Sequence, residues 1–499
     1  MQEKDVFDYR GGYDKPISVF EKKWGKEVDD NVIKPVCATK FKIFDAMCGE
    51  GKSTRIIKDM GRMDDESGGK QPFMYISPLR DECHRIAGTH YLEGDEKKRP
   101  VILDVESSGD QELNLYDYDQ SHPLSKMMFK HPDYRGGTKS DNLKQLIKYK
   151  HNIVSTHQLF KQLTPDLLKQ AGEYILVIDE ALQCYDVFDG MTESVLDNFL
   201  KCKIMYVDDD GITLRFDRNS WGNQNAEVCG DRLKGSIYEN LANLCDLGQL
   251  LYVSGKCVVW ELSLETLFAF KEVWVATYLF EVSQMCAYFK GQGLEYELIQ
   301  FGKKPSDFKH LINIYGMEDG ISEYDKVKNC RTGINAIGWE NTALSSTQIK
   351  NKKGDVVEVL RKNLYNFFNK KIKAKKGDRL WTSLKSLIKP VGEKRYQGDW
   401  LAFNTKATNN YGHVHNLAYL MNLYAQPFVV QASRMKGYPI DQDMYALSEL
   451  VQWIWRSAIR NGEEINLYIP SSRMRNLLVQ WLNDGYVDSI PHTEMKTIV

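Results

Sequence analysis

The sequence predicts an α/β protein with two parallel-sheet domains in tandem, the first carrying a small α+β insertion. Short apolar strands alternate with helical patterns through residues 41–178, and each strand ends on a polar loop, as in sheets whose ligands sit at the strands' C-terminal edge. Two hairpin signatures, turning at Asp-Gly and Ser-Gly, interrupt that rhythm between about 190 and 262. From about Glu295 the strand and helix patterns start again.

The first strand, Phe41 to Phe44, leads into Ala46-Met47-Cys48-Gly49-Glu50-Gly51-Lys52-Ser53, and Ile56, Ile57 and Met60 mark one face of the helix that follows. This is a phosphate-binding loop with Ala at its first glycine position. Gly49 and Gly51 let the backbone turn its N–H groups toward phosphate oxygens, and the helix N-terminus adds a favourable dipole. Lys52 is expected on the β- and γ-phosphates and Ser53 on Mg²⁺. The expected nucleotide contacts are Ala46, Cys48, Gly49, Glu50, Gly51, Lys52, Ser53 and Thr54. A chance glycine-rich turn is the plain alternative.

A second strand, Phe73 to Ile76, runs into Ser77-Pro78-Leu79-Arg80 and a helix containing His84 to Ala87. A third, Ile153-Val154, runs into Ser155-Thr156-His157-Gln158. The fourth, Tyr174 to Ile178, ends on Asp179-Glu180-Ala181-Leu182. An acidic pair after an apolar strand suits Asp179 as a Mg²⁺ ligand and Glu180 as the group that orients or deprotonates a water. The competing reading makes Asp179 and Glu180 caps of a helix starting at Ala181.

The insertion reads as hairpins over 204–216 and 250–260 with a helix over 237–247 between them. Asp208, Asp209 and Asp210 are a solvated turn in preference to a cation site. Beyond it, 296–299, 311–314, 401–403 and 465–469 are strand candidates. Lys350 to Lys376 holds nine Lys and Arg361 against Asp355 and Glu358, with Tyr365, Phe367 and Phe368 interleaved. Such a segment either tracks a nucleic-acid backbone or is an amphipathic helix with buried aromatics and solvated lysines. Residues 450–460, with Gln452, Trp453, Trp455, Arg456 and Arg460, continue the pattern into the last strand.

Composition fits an ordinary globular chain of 499 residues: 42% hydrophobic, 27% charged, net charge −2. That balance argues against a general basic coat while leaving a local groove open. The ten cysteines include no CxxC pair, so neither a zinc site nor a disulfide framework is expected, and a reducing cytoplasm fits best. No apolar run reaches membrane-spanning length and no signal-peptide core opens the chain, so no membrane partner is expected.

Together the phosphate loop, Ser77-Pro78-Leu79-Arg80, Ser155 to Gln158 and Asp179-Glu180-Ala181-Leu182 resemble the motifs of superfamily 2 helicases, the DEAD/DEAH-like class, most closely its phage or mobile-element type. Ala276 and Thr277 fall where that family has Ser-Ala-Thr, with Val275 in place of Ser. Gln452 and Arg456 keep the spacing of its Gln-x-x-Gly-Arg-x-x-Arg motif; Trp455 replaces the Gly and the second arginine falls one place late, at Arg460. The resemblance implies two RecA-like domains over 41–285 and 286–482, flanked by an entry segment 1–40 and a tail 483–499. It implies ATP and Mg²⁺ as cofactors and single-stranded or forked nucleic acid as partner, DNA favoured over RNA. Replication or recombination proteins are further expected partners, in the host cytoplasm if the chain is phage-encoded. By the same resemblance, Glu180, Gln452, Arg456 and Arg460 are catalytic, with either arginine as the finger. Ser77, Pro78, Arg80, Thr156, His157, Thr277, Lys406 and Thr408 contact nucleic acid or couple it to the nucleotide. Two other readings share the loop and the acidic pair. A phage DNA-packaging (terminase-like) ATPase needs an acidic nuclease cluster in its second half and gives Gln452 and Arg456 no role. A non-catalytic clamp on nucleic acid or a protein partner needs no turnover.

Overall fold

The computed structural model describes residues 40–87, 123–132, 138–161, 163–221, 233, 238–316, 333–351, 353–405 and 410–484. Residues 1–39 of the entry segment, the last fifteen residues of the tail, and Lys406 and Thr408 therefore lie outside the described residues. The chain opens with β1 (Lys40–Asp45), β2 (Phe73–Ser77), β3 (Ile153–Thr156) and β4 (Ile175–Asp179). An antiparallel excursion follows: β5 (Tyr185–Val187), β6 (Met205–Val207), β7 (Leu214–Phe216), β8 (Leu250–Val253) and β9 (Cys257–Glu261). The path returns with β10 (Glu272–Thr277) and β11 (Tyr296–Gln300). It then lays down β12 (Ile312–Ile314), β13 (Arg379–Thr382), β14 (Asn416–Tyr419) and β15 (Ile465–Tyr468).

Two all-parallel sheets result, in the orders β11-β1-β10-β4-β2-β3 and β12-β15-β14-β13. Helices cover both faces, which is why β2 and β4 are buried from end to end and read as continuous apolar runs. The architecture is that of two tandem RecA-like α/β domains. The insertion is a three-stranded sheet, β5-β9-β8, beside the hairpin β6-β7, with its own core of Leu196, Phe199, Phe216, Leu241 and Val258. Asp210 caps the hairpin turn by accepting from Thr213 and Ile212 N–H, and Asp208 pairs with Arg215 at 2.7 Å.

Three expectations about elements need correction. The strand Tyr296–Gln300 belongs to the first sheet, where it pairs with β1 from Phe41↔Tyr296 to Asp45↔Gln300. The first domain's sheet thus extends past the expected boundary at 286. A strand after a helix reads alike whether it extends a sheet or founds one; the unpaired edge of β1 decides. The insertion begins at Tyr185, five residues early, because β5 pairs with β9. Residues 401–403 are not a strand: Leu401 N–H reaches the Trp381 carbonyl at 2.9 Å and the chain then turns, and the strand beside β13 is β14.

The two halves interpenetrate. The helix Pro427–Met435 follows β14 in sequence, yet Val429, Val430, Ala432 and then Ile440 pack in the first domain's core, the helix lying against β5, β8 and β9. Lys436 pairs with Glu261 of β9 at 3.1 Å, with both side chains at most 10% exposed. In the other direction, Met47, Tyr278 and Val282 of the first domain join the second domain's core, where Tyr278 packs edge-on against Trp481.

Candidate functional site

The C-terminal edge of the first sheet is where its chemistry collects. Parallel register aligns Asp45 with Thr277 and Ala276 with Asp179, while Ser77 pairs with Thr156 on the next strands. From β1 the chain enters the loop 46–51, pinned at its start by Ala46 N–H to the Thr277 carbonyl at 3.1 Å. Gly49 and Gly51 have φ of 93° and 80°, a left-handed backbone that other residues enter at a cost. Gly51 then caps the helix Lys52–Ser67. The Lys52 ammonium folds over the loop and donates to the carbonyls of Ala46 and Met47 at 2.7 and 3.1 Å.

Asp179 ends β4 and is buried, accepting the Ser77 hydroxyl at 3.1 Å. Burial, with the Glu82 and Glu180 charges added, pushes its carboxyl up to about 8; Ser77 and Lys52 oppose the shift. A divalent cation would reverse that preference by favouring the ionised form. Glu180 follows with φ 64°, its N–H on the Ala276 carbonyl at 2.8 Å. No helix starts at Ala181, so the capping alternative does not occur. A non-glycine residue in the left-handed region next to a buried carboxylate is the kind of local strain found at working sites.

The second domain closes the cleft. Gln452 lies on the last turn of the helix Gln442–Ile454 and bonds Ser448 at 3.2 Å. Trp455 and Arg456 follow, and Arg460 sits on the short 3₁₀ turn Ala458–Asn461. Trp453 and Trp455 are core residues; Trp455 packs edge-on against Phe308 and Trp481. Arg456 is 7% exposed, its ionisation opposed by burial and favoured by the nearby Cys48 and Glu180, and its Nε has no hydrogen-bond partner among the described residues. A Cβ placed on Gly49 would come within 3.4 Å of the Arg460 carbonyl, so loop and arginine segment touch.

One cleft of about 370 Å³ brings these groups together. Cys48, Gly49, Gly51, Lys52, Ser53, Thr54, Asp179 and Glu180 line it from the first domain, and Gln452, Arg456 and Arg460 from the second. Ala46 and Glu50 stand just outside that lining: Ala46 is buried under the loop, and Glu50 is near Gly302. The donor set fits a Mg²⁺-nucleotide. Turned backbone amides and Lys52 suit phosphate oxygens, Ser53 and Asp179 suit a hard cation, and the orphaned Arg456 Nε is a buried donor awaiting an anion. This is a property of the residues present, and each belongs to the chain itself.

Of the residues expected to meet nucleic acid, Pro78 and exposed Arg80 lie beside Thr156 and His157 at the ends of the adjacent strands β2 and β3. Thr156 caps the turn His157–Phe160 by accepting Leu159 N–H. Ser77 and Thr277 are both at most 2% exposed, Ser77 giving its hydroxyl to Asp179 and Thr277 its carbonyl to the loop. They link the sheet edge to the nucleotide loop and present no surface. In the basic segment Phe367 and Phe368 are core residues, whereas Tyr365 is 39% exposed with Arg395 and Lys370 over its ring at 5.0 and 6.0 Å. Lys370, Lys371, Lys373, Lys375 and Lys376 are exposed.

Sequence patterns missed Asp45, Glu82 and Arg85. Asp45 is buried and accepts Leu279 and Phe280 N–H at 2.9 and 3.1 Å, fixing the turn after β10. Its signal was its place, an acid closing the strand before the loop. Glu82 and Arg85 line the cleft from the helix Arg80–Ala87.

A family model described as the YonV C-terminal Rossmann-like domain matches residues 306–482, which span β12 to β15. The SPbeta prophage-derived uncharacterized protein YonV of Bacillus subtilis (strain 168) is 30% identical over 450 residues, covering 89% of this chain and 99% of that protein. The chain belongs to the YonV family. A hypothetical ATP-dependent RNA helicase from Sulfolobus tokodaii overlaps 86% of the chain and 87% of its own, at 8% identity and a TM-score of 0.24, too loose an overlap to carry an argument. In this YonV-family chain the matched C-terminal domain contributes Gln452, Arg456 and Arg460, while the loop and acidic pair lie upstream of it. Among the described residues of this YonV-family chain, no helix is long and apolar enough to cross a membrane.

Proposed function

We propose that the chain is an ATP-dependent motor on nucleic acid, a helicase or translocase of the superfamily 2 DEAD/DEAH-like class serving phage or prophage DNA. One observation carries this reading: the phosphate loop, the acidic pair and two arginines from the other domain line a single cleft. Bound Mg²⁺·ATP supplies the scissile phosphoanhydride and the cation that neutralises it. The loop amides and Lys52 bind the phosphates, Ser53 and Asp179 hold the cation, and Glu180 orients a water and takes its proton. Arg456 and Arg460 stabilise developing charge only while the domains are closed, so hydrolysis and closure are tied together. The prophage origin of the relative supports a DNA substrate.

The test is steady-state ATP hydrolysis by the full chain, with and without Mg²⁺, and with single-stranded DNA or RNA of equal length. Turnover should require Mg²⁺ and rise on adding strands, more with DNA. Mg²⁺-dependent turnover indifferent to both strands would sink the motor reading; no turnover at all would leave a clamp.

The exposed lysines of 370–376 provide a second test. Neutralising Lys370, Lys371, Lys373, Lys375 and Lys376 together should weaken binding to all sequences alike. The slope of log affinity against log salt should flatten by roughly 0.7 for each single-strand phosphate that is no longer neutralised. Basal hydrolysis should persist, since none of the five lines the cleft. An identical slope in parent and variant, read on one labelled oligonucleotide, retires the segment as a nucleic-acid surface.

A further inference from the structure

Glu82 and Arg85 stand three residues apart on the helix Arg80–Ala87, so their side chains share one face. Arg85 grips Glu82 with two donors, Nε to Oε2 at 2.8 Å and Nη2 to Oε1 at 2.5 Å. On an open helix such a pair is common and nearly inert. Here the side chains are only 28% and 17% exposed, and both line the same cleft as Ser53, Asp179 and Glu180. The cleft also holds the buried Arg456 Nε, which has no hydrogen-bond partner among the described residues.

A fork that fixes a carboxylate beside a candidate cation ligand has a chemical use. Mg²⁺ binds few protein carboxylates and keeps several waters, and those waters need acceptors. Arg85 already occupies both Glu82 oxygens, Oε2 and Oε1, so Glu82 would act through water and not as a direct ligand. We propose that Glu82 is a positioning carboxylate for the water shell of the cation held by Ser53 and Asp179, and that Arg85 acts through Glu82 by fixing its orientation. This rests on the nucleotide reading above. Outer acceptors of this kind are worth about 10- to 100-fold in metal affinity.

The experiment titrates Mg²⁺ into the full chain with a fluorescent non-hydrolysable ATP analogue, so that binding and not turnover is read. Glu82→Gln keeps shape and removes charge; it should raise the Mg²⁺ midpoint by about 10- to 100-fold and leave metal-free analogue binding at the parent level. Arg85→Lys, which keeps charge but lacks the fork, should shift it in the same direction by less. The double variant Glu82→Gln/Arg85→Lys should match Glu82→Gln alone, because Arg85 works only through Glu82. A parent-like midpoint in Glu82→Gln overturns the proposal and leaves the nucleotide reading standing. Additive shifts in the double variant overturn the role of Arg85. A parent chain that shows no Mg²⁺-dependent binding, indistinguishable from Lys52→Ala, defeats the nucleotide reading and this proposal with it.

Discussion

Glu180→Gln should leave Mg²⁺·ATP bound and cut its hydrolysis by about 10²–10⁴, the usual worth of a positioned general base. The substitution keeps the side chain's size and its place on a left-handed backbone (φ 64°), so the N–H bond to Ala276 and the neighbouring Asp179 should persist. What disappears is the ability to accept a proton. Lys52→Ala is the contrasting variant. It removes the ammonium that lies over the loop, so nucleotide binding and hydrolysis should fall together. Single-turnover hydrolysis beside fluorescent-nucleotide binding separates the two, and undiminished hydrolysis in Glu180→Gln would remove its assigned role.

Arg456→Ala should also bind nucleotide, yet lose on the order of 10³–10⁵ in hydrolysis rate, the range of arginine fingers in related chemistry. The environment favours Arg456 over Arg460. Its guanidinium is buried beside Cys48 and Glu180, and its Nε is unmatched. Leaving such a donor without a partner costs stability, which binding an anion would recover. Arg456→Lys should rescue little, because a point charge cannot reproduce the planar fork. Rates near the parent's in both Arg456→Ala and Arg460→Ala would dismiss a finger from this segment.

The parts of the site legible in the sequence are those whose chemistry demands contiguous residues. A phosphate loop must follow a strand and open a helix within a few positions, so 41–60 could be read directly, as could Asp179-Glu180 at the end of an apolar run. Gln452, Arg456 and Arg460 were readable as a spaced set, and the structure brings all three to the loop. What could not be read depends on neighbours distant in the chain. Tyr296–Gln300 looked like the start of a new domain because no local pattern says which strand edge is open. Ser77 sits in a segment that reads as a surface loop, but β4 brings Asp179 against its hydroxyl. Phe367 and Phe368 differ from Tyr365 only in which way a helical turn faces, and that was decided by packing against Tyr468 and Tyr396.

The helix Pro427–Met435 gives the two halves a shared fate. Cutting the chain before residue 306, where the family model begins, would strand Val429, Val430 and Ile440 in water and uncover the face of β5, β8 and β9 on which this helix lies. It would also leave the Glu261 carboxylate, 6% exposed, without the Lys436 ammonium, and breaking a buried pair of that kind costs about 3–5 kcal/mol. Neither piece is therefore a finished folding unit, and the chain should gain or lose its structure as a whole. Parting the two halves would draw this helix out of the first domain's core and break the Lys436–Glu261 pair.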